Sequence, residues 1–332
     1  MEINDKNSEE IIVIDSHTHA GGVDFYNLFI PRYPIAQSVE DLIFKMDCLN
    51  INYAIVLPMP FPMYYDPRKI NNNKWFKTNL EKFPYQLLNS ALLYEAENYR
   101  NRLFPFFAID PRERVKEQVK FLEKNIRENK IFGLKLHTLA TNSSAQKLEK
   151  TGFVDLLEEY DLPIIIHSDH RFRFTSPFNA LKFAERHPKI RVCIAHLAGF
   201  DRSVLKIARG MENVFFDTAP FLTNCNLAIK RIEGYVSREM FNTNYKNPIE
   251  ALIEFSEYLK GKLMWGSDEP WTKISDPQGN RLTKFSYKDE RTLLSGVIQH
   301  KREDLMKEIA MINPLRFIFG NRIKKNKFIK NN

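Results

Sequence analysis

Cysteine is scarce in this chain: Cys48, Cys193 and Cys225 stand far apart, and no CxxC pair occurs. That excludes a disulfide frame or a thiolate metal site and leaves three free thiols suited to a reducing compartment. Long apolar runs are also missing. Runs such as Pro163–Ile166 have the length of a strand and fall far short of the roughly 20 residues of a membrane span. The amino terminus, MEINDKNSEE, carries no apolar signal region, so a cytoplasmic location without a membrane partner is the expectation. No Gly-rich phosphate loop is present to open a doubly wound sheet, the competing architecture. The formal charge is +8, but much of the excess sits in the tail between Arg322 and Lys330. No aromatic platform or groove-reading motif accompanies that tail, and no nucleic-acid partner is expected.

What the chain does have is core. Its 332 residues, 43% hydrophobic and 13% aromatic, are enough for one large domain over 1–332, with a core from about 11 to 320 and a basic tail at 321–332. Eight short apolar runs recur: Ile11–Asp15, Tyr53–Leu57, Leu103–Ile109, Phe132–Leu136, Pro163–Ile166, Arg191–Ala195, Val214–Phe216 and Lys262–Trp265. Most are near-continuous Val, Ile, Leu and Phe, the pattern of parallel strands buried on both faces.

Between these runs lie stretches with helical spacing. Ser38-Val-Glu-Asp41 forms a capping-box pattern ahead of Leu42–Leu49, and residues 112–129 place Val115, Val119, Leu122 and Ile126 on one face. Phe153–Tyr160, Pro177–Arg186, Ser203–Met211, Ile249–Leu259 and Arg302–Ile312 behave alike. Eight strands with intervening helices predict an α/β fold, a closed (β/α)8 TIM barrel. Three segments, Pro58–Gln86, Phe221–Tyr245 and Glu269–Glu290, exceed ordinary βα loops and are expected to form a cap over the active site.

The chemistry-bearing residues sit at the ends of these runs. His17 and His19 follow the first in IDSHTHAGG, His137 the fourth in GLKLH, His167 the fifth in IIIHSDH, His196 the sixth in IAHLAG, and Asp268 the eighth in WGSDEP. The carboxyl ends of barrel strands converge on one mouth, so residues from opposite ends of the chain share a small volume there. One histidine in such a place is more often a satisfied core residue; several converging ones reverse that reading. Strand alternation puts His17 and His19 on one side, with Thr18 pointing away. Imidazoles with a carboxylate suit one divalent metal, Zn(II) first, with Mn(II), Fe(II) or Co(II) able to take the same geometry. Asp268 is placed to take the proton of a water activated there.

In type and order, IDSHTHAG, GLKLH, IIIHSD, IAHLAG, WGSDEP and the closing NPLRFIFG resemble the metal-dependent amidohydrolase superfamily. The branch is the amidohydrolase-related (amidohydrolase 2) one, which also contains aminocarboxymuconate-semialdehyde decarboxylase-like enzymes. The resemblance implies metal ligands at His17, His19, His167 and Asp268, with Asp268 also the general base. For His196 it implies either ligation of a second metal or orientation and polarisation of the substrate. In binuclear relatives a carboxylated lysine on strand 4 bridges two ions, and Lys135 lies on that strand. The alternative for Lys135 is an ammonium paired with Asp110 or Asp217, or bound to a substrate anion. His137 lines the pocket or stabilises an oxyanion. His170, Arg171 and Arg173, close together in HSDHRFRF, either reach the pocket or form a solvated loop. His187 and His300 sit at helix ends among charges and read as structural or solvent-facing.

The resemblance further implies a small-molecule substrate and, since relatives are frequently dimers, a homodimer. Two reactions compete within it. The Lys-x-His pattern of strand 4 resembles the hydrolytic relatives and favours attack of an activated water on an amide, ester or lactone. The alternative is nonoxidative decarboxylation of a small unsaturated or aromatic carboxylic acid. A different class of reading, a catalytically inactive barrel acting as a binding protein, is opposed by the intact set of three histidines and one aspartate.

Overall fold

The near-continuous apolar runs become the wall of a barrel, buried on both of its faces. A computed structural model describes residues 11–23, 36–66, 76–272 and 282–320. The basic tail and parts of the first and third long segments lie outside the described residues. Eight strands pair in sequence order: β1 (Ile14–His19), β2 (Tyr53–Leu57), β3 (Leu103–Ile109), β4 (Gly133–Leu136), β5 (Ile164–Ile166), β6 (Val192–Ile194), β7 (Val214–Asp217) and β8 (Leu263–Met264). Every neighbouring pair is parallel. Closure comes from β1 meeting the chain around β8. Ser16 N–H donates to Trp265 O at 3.0 Å, Asp268 N–H to His17 O at 2.8 Å, and His19 N–H to Glu269 O at 2.7 Å. The protein is a (β/α)8 TIM barrel.

Alternation divides each strand between two cores. In β3, Leu103, Phe107 and Ile109 pack outward under the helices, while Phe104 and Phe106 point inward. The same parity places Ile165, Cys193 and Phe215 inside and their neighbours outside. In β4, Leu134 and Leu136 belong to the outer layer, so Gly133 and Lys135 fall inside. A Cβ at Gly133 would stand 2.2 Å from the Phe106 ring, which is why the smallest residue occupies that place. The closing NPLRFIFG forms a helix, Asn313–Phe319, that packs Phe317 and Phe319 against Phe104, Phe106 and Phe215. Each ring so buried contributes about 2–3 kcal/mol.

Most expected helices are present within a few residues, among them Val115–Arg127, Gly152–Glu159, Pro177–Arg186, Arg202–Ala208 and Pro248–Tyr258. Val39–Cys48 begins with the capping box read from Ser38 and Asp41: Ser38 Oγ accepts from Asp41 N at 3.0 Å, and Asp41 Oδ2 accepts from Ser38 N at 3.2 Å. Three expectations need correction. The first strand is Ile14–His19, not Ile11–Asp15, because its bonds to Glu269 and to β2 continue past Asp15 and carry both histidines within the strand. Phe221–Tyr245 is not a long loop, since Phe221–Lys230 is helical. That helix has no side-chain cap of its own; Phe221 N and Leu222 N donate to the buried Glu290 carboxylate, a signal distant in sequence. Finally, the helix expected at 302–312 runs only over Glu303–Lys307 and widens into a π turn at Glu308–Ile312, which lets Ile309 O accept from Trp265 N at 2.8 Å. Among the described residues, no helix is long and apolar enough to cross a membrane.

The described part of the first long segment is pinned from below. Met59 and Met63 pack with Tyr85, Leu88 and Ala108, and Glu81 is buried beside the amides of Met63, Tyr64, Gln86 and Leu87. Neither Glu81 oxygen completes a hydrogen bond, and burial pushes its carboxyl up to about 7. The folded protein therefore keeps a proton there that the unfolded chain releases above about 4.5, so unfolding sheds a proton between those values and stability falls as pH rises through the window. Urea unfolding at pH 4.5 and 7.5 should show a pH-dependent loss in the wild type that exceeds the loss in Glu81→Gln by up to about 3 kcal/mol. Equal slopes in the two proteins would refute it.

Candidate metal centre

β1 and the turn after β8 bring three donor atoms together. Asp268 Oδ1 lies 3.4 Å from His17 Nε2 and 3.6 Å from His19 Nε2. Donors about 2.1 Å from one tetrahedral ion stand about 3.4 Å apart, so this spacing fits a metal. The outer nitrogens explain why these atoms present lone pairs to one. His17 Nδ1 donates to Asp217 Oδ2 at 2.8 Å, and His19 Nδ1 donates to the carbonyl of Pro58 at 2.8 Å. Both partners are acceptors, so each proton sits on Nδ1 and each Nε2 lone pair faces Asp268. Burial holds both imidazoles well below their usual range, hence neutral, and pushes the Asp268 carboxyl up with Lys135 opposing. Neutral imidazoles and a buried carboxylate are the donor set a divalent cation requires.

A layer below, carboxylates hold this geometry. Asp217 Oδ2 also accepts the Cys193 thiol at 3.3 Å, and its Oδ1 accepts His196 N–H at 2.8 Å. Asp15 Oδ1 accepts the amides of His17 and Ser267, both at 3.0 Å, and so ties the histidine strand to the turn bearing Asp268. Lys135 Nζ lies 3.1 Å from His17 Nε2. Burial pushes its ammonium down to about 8, with Asp217 and Asp268 pulling the other way.

A second group stands beside the first. His196 Nδ1 donates to Ala219 O at 2.5 Å, and its Nε2 meets His167 Nδ1 at 2.8 Å. His167 Nε2 donates to Asp169 Oδ2 at 3.1 Å. Each ring has thus spent its single proton outward, and two lone pairs face one another, a contact that only a further proton or a cation makes favourable. The His17 and His196 ring centres are 5.4 Å apart, and His137 stacks on His167 at 4.2 Å.

His196 opens a left-handed turn. Positive φ runs through His196, Leu197, Ala198, Gly199 and Phe200, at 61°, 48°, 52°, 58° and 64°. Such backbone costs about 1–2 kcal/mol for each non-glycine residue. Residues 237–241 brace it, with Ser237 N donating to Gly199 O and Phe241 N to Phe200 O, both at 2.8 Å. A Cβ at Gly199 would stand 2.9 Å from Tyr235 O, so only glycine fits. Strain of this kind collects where a side chain must be aimed.

The structure groups His17, His19 and Asp268 as one cluster able to hold a metal, with His167 and His196 as a bonded pair alongside. His137 borders the mouth opposite Phe61, 6.4 Å between ring centres. Lys135 does not pair with Asp110, because Arg112 occupies that carboxylate with Nε and Nη2. His170 turns away from the mouth to donate to Ala198 O at 3.2 Å, Arg171 bonds Asp169, and Arg173 is exposed. A cavity of about 470 Å³ lies on that outer side, lined by His170, Asp201, Ser203 and Ser237, and includes none of the mouth residues. Sequence reasoning missed Asp15, Asp169 and Pro58, and named Asp217 only as a possible lysine partner. The signal for Asp15 and Asp169 was their offset of two from His17 and His167, the reach at which an aspartate bonds a nearby backbone or ring.

A TIM barrel whose mouth gathers imidazoles and a buried carboxylate at ligand spacing has the architecture of a barrel able to hold a metal at its mouth. Residues 14–317 match the profile of the family described as Amidohydrolase, and the chain belongs to that family. No curated protein matches it in sequence. Solved structures share its fold. A 5-carboxyvanillate decarboxylase from Sphingomonas paucimobilis is similar with a TM-score of 0.63 and 11% identity over 93% of this chain and 99% of that one. A probable 2-pyrone-4,6-dicarboxylic acid hydrolase from Acinetobacter baumannii, solved with citric acid, gives 0.56 and 17% over 92% and 98%. A 4-oxalomesaconate hydratase from Rhodopseudomonas palustris gives 0.57 and 14% over 96% and 98%.

Proposed function

We propose that this protein is a metal-dependent hydrolase that cleaves an amide, ester or lactone of a small molecule. The observation that carries the proposal is the convergence of His17 Nε2, His19 Nε2 and Asp268 Oδ1, each imidazole locked by its other nitrogen. These three side chains, joined by His167, would hold one divalent ion, Zn(II) first among the candidates. Such an ion polarises a carbonyl oxygen and makes water acidic enough to serve as a nucleophile near neutral pH. Asp268, whose Oδ1 faces both imidazoles, takes the proton from the attacking water and returns it to the leaving group. His137 accepts the Ala140 amide at Nδ1 (3.2 Å), so its proton is on Nε2, a neutral donor for the substrate oxygen. His196, whose Nε2 faces His167, orients the substrate.

A second reading, nonoxidative decarboxylation of an unsaturated or aromatic acid, has one specific observation in its favour. The Lys135 cation suits a substrate carboxylate, and Phe61 and His137 supply a ring-lined wall beside it. Fold neighbours named as hydrolase and as decarboxylase keep both reactions within the class. The proposed partner is a small molecule, with a homodimer and a cytoplasmic setting carried from the resemblance and the composition. Screening amide, lactone and carboxylic acid libraries with the metal-loaded protein, while recording carbon dioxide release, tests the assignment. Turnover without carbon dioxide supports hydrolysis, and stoichiometric release overturns it in favour of decarboxylation.

Lys135→Ala separates two roles for the lysine. As an ammonium within the pocket, its loss leaves metal content at about one per chain and weakens substrate binding. A fall from two metals to one, by inductively coupled plasma mass spectrometry, would instead establish a carboxylated bridge.

A further inference from the structure

His167 is held differently from the other imidazoles of the mouth. His17, His19 and His196 all turn Nδ1 outward to an acceptor and point Nε2 inward. His167 does the reverse, giving Nε2 to Asp169 and presenting Nδ1 to His196. The reversal has a built cause in the HSDHR turn. Asp169 is almost fully buried and accepts from five donors. Its Oδ2 takes Arg171 Nε at 2.9 Å, Arg171 Nη2 at 2.5 Å and His167 Nε2 at 3.1 Å, and its Oδ1 takes the Arg171 amide at 3.0 Å and the Thr175 hydroxyl. Arg171 in turn lies over the Tyr235 ring at 4.7 Å, and the next-door amide of His170 bonds Gly234 O at 2.8 Å.

We propose that Asp169 and Arg171 are positioning residues that commit His167 to presenting Nδ1 to a metal, with Tyr235 holding the guanidinium in register. A two-donor guanidinium on one carboxylate fixes its plane, and the fixed carboxylate can only accept, so the His167 proton stays on Nε2. Residues 233–241 extend the same support, bracing the turn of His196 and seating Arg171, so the two facing lone pairs are set by one segment outside the mouth. The proposal rests on the metal-binding reading given above.

Zinc affinity, measured by competition with a chromophoric chelator, and nitrogen-15 histidine spectra of the zinc-loaded protein test it together. Asp169→Ala should bind zinc about 10–100-fold more weakly, with the His167 proton no longer confined to Nε2. Arg171→Lys, which keeps the charge but loses the fork, should weaken binding by a smaller factor, and it carries the test alone if Asp169→Ala does not fold. Wild-type affinity in a folded Asp169→Ala, or zinc on Nε2 of His167 in the wild type, overturns the proposal. If the wild type takes up no zinc, the metal reading fails separately. The clamp is then judged on the metal-free spectra, where His167 must keep its Nε2 proton in the wild type and lose it in Asp169→Ala.

Discussion

Purified His19→Ala is expected to carry almost no transition metal where the wild type holds about one ion per chain, and Asp268→Asn should behave alike. His19→Ala removes one donor atom and Asp268→Asn removes the negative charge of another, and the weakened set competes poorly with water for a divalent ion. Turnover should fall by at least about 10³-fold in both, since Asp268 also moves the proton. Folding should survive. The His19 side chain makes one hydrogen bond outside the cluster, to Pro58 O, and its loss costs about 1–2 kcal/mol. The barrel is held by strand-to-helix packing and by the inner ring of Phe104, Phe106, Phe215 and Phe317, none of which touches the site. Metal content by mass spectrometry and a thermal melt of the chelated proteins check both halves. A variant that keeps its metal would sink the assignment, and collapse of the metal-free fold would mean that core residues had been read as a site.

Asp217→Asn should also weaken the site, although Asp217 is not itself one of the three convergent donors. Three donors converge on the carboxylate: the His17 ring, the Cys193 thiol and the His196 amide. An amide offers one oxygen and one NH2. With its oxygen kept by the His196 amide, the NH2 faces His17 Nδ1, which must then accept. The imidazole proton moves to Nε2, the atom aimed at Asp268, and a ligand is lost through its tautomer. Metal affinity should drop about 10–100-fold, with a stability loss of about 1–3 kcal/mol from the mismatched buried donors. Equal affinities of Asp217→Asn and wild type would show that the tautomer of His17 is set elsewhere.

The barrel was legible because parallel strands buried on both faces write themselves as apolar runs, and eight of them with helices between leave few topologies. The helix Phe221–Lys230 was not, because its amino-terminal amides are satisfied by Glu290, 69 residues from Phe221. The histidines were legible in type and place, at strand ends, but their pairing was not. IIIHSDH does not disclose that the His167 ring faces His196 rather than Asp268. Nor does IAHLAG, with a single glycine, announce five successive left-handed residues, which persist only because the 237–241 segment and Asp217 hold them.

The sequence by itself determined the strand count, the parity that sends Lys135 inward, and the residue types available at the mouth, since these follow from local periodicity. Tertiary structure alone decided which nitrogen of each histidine carries a proton. That choice belongs to acceptors as distant as Asp217 and Pro58, and only closure of the barrel brings them within hydrogen-bonding reach.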